Sequence, residues 1–387
     1  MSIAESVSHF NDVQRSHEFP ITADYIYLNT ATQGPLPSST CHAAEAYLRR
    51  SQFPETSQGN VESPVELART RFARLLGTQA DEIGFTSSTT HGLNICAQGI
   101  EWRAGDNVVL PAHEFPSVTR TWLQLRRRGV DVRLVPWDGA GPVVETLMSA
   151  VDSRTRVVSC SAVAWDTGFR MDLESLGRRC AEAGCLLVVD GIQAVGAIEF
   201  DPRALRISAL ALHGYKWLLS GFGCGMLYVA PEAIDRIQPT FVGAQSFQLD
   251  SDVADPDAAW QPGARRYAAG GTNTPGLAAL AASLGLIEQL GLPAIAAHNR
   301  ALGELLVTGL QGYTSQLQLV SPTDAARRAS IVTWTLGDAK RDAALVQRLA
   351  ERKIVVAQRP RGVRISPHFY NTAADIEALL RALPECW

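Results

Sequence analysis

The residues of this chain best suited to chemistry fall just after short apolar runs, spaced along its first two-thirds. The turn after "EIGF" carries Thr89 and Thr90 within "TSSTTHGLN", a hydroxyl-rich lead into a helix whose free N–H groups suit a phosphate. "VVLPAHEFPS" then offers His113 and Phe115, and "VVSCSAVAW" ends on Trp165. Asp190 closes the apolar run "LLVVD", with Gln193 in the following turn. A carboxylate in that position is costly to bury unless it serves a cation or caps a turn. Lys216 follows the next apolar run, between Tyr215 and Trp217 and ahead of the glycine-rich "SGFGCG". A desolvated lysine has a depressed pKa and attacks carbonyl groups as an amine.

Each of these has an ordinary reading: a capped helix start, a turn aspartate, a surface lysine laying its stem on two rings. Together they are the fittings of pyridoxal phosphate. The lysine forms a Schiff base with the aldehyde and the carboxylate keeps a proton on the pyridine nitrogen, while an aromatic face stacks on the ring and hydroxyls take the phosphate. No G-x-G-x-x-G follows the first strand, which argues against a dinucleotide-dependent dehydrogenase. A non-catalytic binding protein retaining only the fold would be marked by loss of the lysine or the aspartate, and both are present.

The elements that must position these residues are legible as alternating segments. "DEIGFTSS", "DNVVLPAHEF", "VDVRLVPW", "TRVVSCSAVAW" and "CLLVVDG" read as strands separated by helices. One such helix is "DLESLGRRCAEAG", with Asp172 as its N-cap and Gly184 at its end. Val- and Leu-rich strands alternating with helices predict a mainly parallel sheet covered on both faces. The polar, Pro- and Gly-rich stretch around 245–275 is either a functional loop or a boundary. Beyond it, an Ala/Leu-rich helix and the segments "ASIVTWTL", "IVVAQRP" and "GVRISPHF" predict a smaller α+β domain closed by the helix "TAADIEALLRAL".

With 387 residues, 46% of them hydrophobic, the chain is long enough for about two domains. A net charge of −4 and a pI near 6.1 give no electrostatic footprint for nucleic acid. The polar N-terminal stretch does not read as a secretory signal, and no apolar run approaches a bilayer span. The seven cysteines are scattered without a C-x-x-C pair, so reduced thiols are expected and neither disulfides nor a metal site. The expectation is a cytoplasmic protein with no membrane or nucleic-acid partner.

"VVDGIQAVG" followed by "HGYKWLLSGFGCGMLYV" resembles the class V aminotransferase group of fold-type I pyridoxal phosphate enzymes. That group holds cysteine desulfurases, C–S lyases, kynureninase, isopenicillin N epimerase and serine–glyoxylate aminotransferases. The resemblance starts at "YIYLNTATQGPLP", similar to the family's "YLDNAATTP". It continues in order through "TSSTTHGLN", "SAVAWDTG", "GGTNTPG" and "VRISPHFYNTAADI". It implies an α/β fold-type I transferase: a large cofactor-binding domain over 20–262 with a mainly parallel seven-stranded sheet, a linking active-site loop at 245–275, and a small domain from 1–19 plus 275–387.

The resemblance also implies roles. Lys216 matches the Schiff-base lysine, Asp190 the partner of the pyridine nitrogen, and Gln193 the glutamine that hydrogen-bonds the phenolic oxygen. Thr89 and Thr90 match the phosphate turn, and His213 and Tyr215 fall where the family places further phosphate ligands. Thr272 matches a threonine that reaches the neighbouring subunit's phosphate, which implies a homodimer with shared active sites. Arg364 matches the arginine that clamps the α-carboxylate of a small amino-acid substrate, and Asn29 lies in the N-terminal block as a further substrate-binding residue. Phe115 resembles the ring-stacking phenylalanine of kynureninase-like members, with His113 as the desulfurase-style alternative. His91, His368, Arg359 and Arg361 are candidates for the side-chain pocket. Two departures bear on the reaction. The stretch "DAALVQRLAERKIVVAQRPRG" lacks the nucleophilic cysteine that desulfurases carry there, and Trp165 stands where they have asparagine. Both lean toward a cystine lyase-like β-elimination of a small L-amino acid through an external aldimine and quinonoid; an aminotransferase or an epimerase is the alternative.

Overall fold

The structure, a computed structural model, describes residues 12–53, 63–139, 141–248, 255 and 257–387. Its first strand, β1 (Ile26–Tyr27), is set apart from the seven that follow. Those are β2 (Ile83–Thr86), β3 (Asn107–Pro111), β4 (Asp131–Val135), β5 (Thr155–Ser161), β6 (Leu186–Asp190), β7 (Ala209–His213) and β8 (Gly225–Val229). They form one sheet in the order β2-β8-β7-β6-β5-β3-β4. Within it only β8 runs against its neighbours, so six strands point their carboxyl ends to one edge. β6 and β7 are buried along their whole length, which is why they read as continuous apolar runs. Edge strand β4 alternates between exposed and buried residues. The helix Leu173–Ala183 begins where Asp172 accepts a hydrogen bond from Ser175 N–H at 3.0 Å and stops at Gly184, whose φ is 72°.

The C-terminal part adds β9 (Gln318–Leu319), β10 (Val332–Thr335), β11 (Ile354–Val355), β12 (Ala357–Arg359) and β13 (Gly362–Ile365). Four of these make an antiparallel sheet, β12-β13-β10-β9, while β11 pairs in parallel with β1. Trp334, Leu345, Val363 and Ile376 centre a second core that also takes in Leu28.

Packing divides the chain at other points than the sequence boundaries. β1 and Leu28 join the small domain although they follow residue 19, because β1 completes a ladder with β11. The helix Thr274–Leu290 joins the large core through Leu277, Leu280, Leu284 and Ile287. It is apolar on nearly every side, so it needs covering by the helices Ser38–Arg50 and Pro64–Leu76. Residues 1–11 of the expected small domain, and 249–254 and 256 of the expected loop, lie outside the described residues. Among the described residues no single helix is long and apolar enough to cross a membrane.

Candidate active site

The carboxyl edge of the large sheet gathers the expected residues from separate strands, as open α/β sheets do. Lys216 sits in the turn between β7 and β8, 7% exposed. The turn is closed by Leu219 N–H donating to Lys216 O at 3.1 Å and Ser220 N–H to Gly214 O at 2.9 Å. The ammonium nitrogen lies 5.6 Å from the Tyr215 ring centre and 5.8 Å from that of Phe115. Burial and the nearby Arg364 pull its pKa down to about 7, against the attraction of Asp190. Such an amine is about half neutral at pH 7 and largely neutral and nucleophilic just above it.

Asp190 ends β6, 3% exposed, with Ile192 N–H donating to Oδ1 at 2.9 Å. Burial raises its pKa to about 6, with Lys216 opposing. A buried carboxylate so thinly partnered suits a cationic N–H. Gln193 is locked by two bonds: Trp217 Nε1 donates to its Oε1 at 2.8 Å, and its Nε2 donates to Ala31 O at 3.1 Å. The second Nε2 hydrogen is left for a ligand oxygen. Behind the lysine, His368 is fully buried with Nε2 3.0 Å from Trp217 O, and burial drives its pKa down to about 3. It props the lysine turn and does not line a pocket.

The expected phosphate turn opens the helix Thr89–Gly99, where Ser88 accepts from His91 N–H at 3.1 Å. Thr89 Oγ1 is buried without a partner, whereas Thr90 Oγ1 is exposed and donates to Ser117 Oγ at 2.8 Å. His213 Nε2 accepts from Gly223 N–H at 3.1 Å and its ring stands edge-on to Tyr215, 4.6 Å between centres. Its ring is therefore engaged by the glycine turn within this chain. Thr272 lies with Ser87, His91, Phe241 and Val242 on a cavity of about 620 Å³ beside the phosphate turn.

Phe115 is 37% exposed, its ring edge-on to Trp165 at 5.7 Å and facing Lys216. His113 is turned away to Asp166, Nε2 to Oδ2 2.8 Å, and lies parallel to Trp165 at 6.5 Å. Trp165 Nε1 is buried and unpartnered. Arg364, 1% exposed, donates from Nη1 to Trp165 O at 2.6 Å and from Nη2 to Thr32 Oγ1 at 2.7 Å. Thr32 donates in turn to Asn29 Oδ1 at 2.6 Å, so Asn29 reaches the arginine through a hydroxyl.

Sequence reasoning passed over three contributors. Glu114 takes Ser161 N–H on Oε1 at 2.7 Å, and Ser161 Oγ and Phe115 N–H on Oε2 at 2.5 and 3.2 Å, pinning the Phe115 segment to β5. Its acid in "HEFPS", between two site candidates, was the available signal. Thr32 had none. Gly34 donates N–H to Tyr215 O at 2.9 Å, and a Cβ there would stand 2.3 Å from Lys216 O and 2.5 Å from Leu219 Cδ2. Gly34→Ala should therefore displace the lysine turn, a strain of about 1–3 kcal/mol. The expected result is about a tenfold fall in kcat with weakened cofactor retention, read from turnover and cofactor absorbance per protein. Unchanged values would refute the contact.

The donor set fits pyridoxal phosphate: an orphaned hydroxyl at a helix start, a buried carboxylate in want of a cation, and a desolvated lysine beneath an aromatic ring. On this sheet, that set defines a fold-type I pyridoxal phosphate enzyme. The aminotransferase class-V family model matches residues 26–379, and the chain belongs to that family, with pyridoxal phosphate as its cofactor. A probable cysteine desulfurase of Methanothermobacter thermautotrophicus is 29% identical over 97% of both chains. Isopenicillin N epimerase of Streptomyces clavuligerus is 28% identical over 92% of this chain and 94% of its own. Among solved structures, the complex of the cystine C–S lyase C-DES with its product cysteine persulfide is 25% identical, covering 95% of this chain and 99% of that one with a TM-score of 0.87.

Proposed function

We propose that the chain is a C–S lyase that eliminates a sulfur substituent from the β-carbon of a small L-amino acid. The observation that carries this reading is a complete lysine–aspartate–arginine site with no reactive thiol beside it. All seven cysteines are unpaired, six are buried, and Cys41 is half-buried on the helix Ser38–Arg50. Cys224, in the turn after Lys216, is buried, which raises its pKa to about 11. Where desulfurases carry their cysteine loop, this chain runs through the helix Ala339–Glu351 into the tight β12–β13 hairpin.

Bound pyridoxal phosphate supplies the electron sink for charge developing at the α-carbon. Arg364 would orient the α-carboxylate, Lys216 Nζ would take the α-proton, and the negative charge of Asp190 would keep the ring nitrogen protonated. The sulfur would depart with the electron pair of its bond to the β-carbon, and Lys216, carrying the α-proton, would return it to that sulfur. A second copy of the chain would bring its Thr272 to this site, a contact for which Phe241 and Phe222, 73% and 61% exposed, would supply an apolar face.

The test is incubation of the holoenzyme with L-cystine, L-cysteine, L-alanine and L-serine. Pyruvate with persulfide or sulfide from the sulfur-bearing substrates, without any keto acid, is expected. Turnover strictly dependent on a keto-acid acceptor overturns the lyase reading in favour of transamination, and inversion of the α-carbon without pyruvate overturns it in favour of epimerisation.

A further inference from the structure

Arg359 and Arg364 come from the two strands of the β12–β13 hairpin and converge on one hydroxyl. Arg364 Nη2 donates to Thr32 Oγ1 at 2.7 Å, and Arg359 Nη2 donates to the same oxygen. Two guanidinium groups sharing one acceptor are near neighbours. Every hydrogen bond they make ends on a neutral oxygen: Thr32 Oγ1, Trp165 O and Gln358 O. Among the described residues no carboxylate forms an ion pair with either, and Arg364 Nε is buried without a partner. Arg361 is a third guanidinium, on the turn of the same hairpin. A methyl group on Gly139 would meet both its Nη1, at 3.2 Å, and His113 Cδ2, at 2.6 Å.

Clustered like charges removed from water are unfavourable unless anions arrive to satisfy them. Arg359 disfavours the charge on Arg364 more than nearby Asp166 favours it, and both arginines disfavour charge on Lys216. One α-carboxylate answers Arg364, the more deeply buried of the two. Arg359, half-buried, is then left unanswered. Its planar fork suits a carboxylate better than a point cation would.

We infer that Arg359 is a specificity-determining residue that binds a second carboxylate, carried at the far end of the substrate's side chain or on its leaving half. The substrate class is thereby narrowed to amino acids with two acidic ends. This rests on the reading of Arg364 as the α-carboxylate clamp, and it is independent of which bond is broken afterwards.

The experiment is calorimetric titration of the holoenzyme with glutarate and with butyrate, which lack an amino group and undergo no chemistry. Glutarate should bind about 30-fold more tightly than butyrate, the scale of a charge-assisted pair. Arg359→Gln should bring glutarate down to the level of butyrate and leave butyrate unchanged, while Arg359→Lys keeps part of the preference. Equal binding of the two acids by the unaltered enzyme overturns the inference. So does an Arg359→Gln variant that loses both acids alike, because Arg359 would then serve the first carboxylate or the fold. Arg364→Gln, expected to weaken both acids, checks the underlying clamp separately. Elimination is read from pyruvate release, so its failure leaves the binding result standing.

Discussion

Replacing Lys216 with alanine should lower turnover about 1,000-fold or more, the scale expected when the proton-transfer group itself is lost, while the protein stays folded. Folding survives because the substitution removes a cation that Arg364 and Arg359 already disfavour, in a site where burial penalises its charge. Borohydride reduction of the unaltered holoenzyme should attach the cofactor to the peptide bearing Lys216, and the variant should show no such attachment. The pH dependence sharpens the test. The folded-state pKa of Lys216 is lowered to about 7 from the ordinary lysine range, so the amine is neutral and nucleophilic above pH 7. Uptake of pyridoxal phosphate by the apo-protein, followed by absorbance, should therefore accelerate as pH passes through about 7 and level off well before pH 10. A rate that rises only above pH 9 would show an ordinary solvated lysine.

What was legible in the sequence was what burial makes costly. Asp190 and Lys216 stood out because each is an expensive residue at the end of an apolar run, and the strands stood out because a sheet covered on both faces leaves no polar alternation. Asp172 and Gly184 marked their helix because capping chemistry is local. The convergence of Arg359 and Arg364 on Thr32 was not legible, since it depends on β1 docking beside β11 and the β12–β13 hairpin folding back onto the N-terminal segment. Nor was the side taken by the helix Thr274–Leu290: an apolar surface says that a helix must be covered and not by which core. Gln193 was found as a residue type, whereas its fixed orientation needed Trp217, whose indole N–H is invisible as a partner until the turn closes.

Asp190→Asn should separate what the carboxylate does for the cofactor from what it costs the fold. In the apo-protein the carboxylate is buried, and its one hydrogen bond, from Ile192 N–H, together with the attraction of Lys216, only partly offsets the desolvation. Its folded pKa is raised to about 6, so the folded state holds a proton more firmly than the unfolded chain does. Folding stability contributed by this group is present at low pH and falls as pH rises from the ordinary carboxylate range through about 6. An amide of the same shape carries no such penalty. The apo variant should thus melt at a higher temperature than the unaltered apo-protein at pH 8, and the advantage should shrink toward pH 4. The holoenzyme should respond in the opposite direction. If Asp190 is the partner of the ring nitrogen, its charge would keep that nitrogen protonated and the ring an electron sink, so Asn should cut kcat about 100- to 1,000-fold and weaken cofactor binding. Substitution at a merely structural aspartate would shift apo and holo stability the same way and spare kcat. A parallel shift of that kind would remove Asp190 from the site.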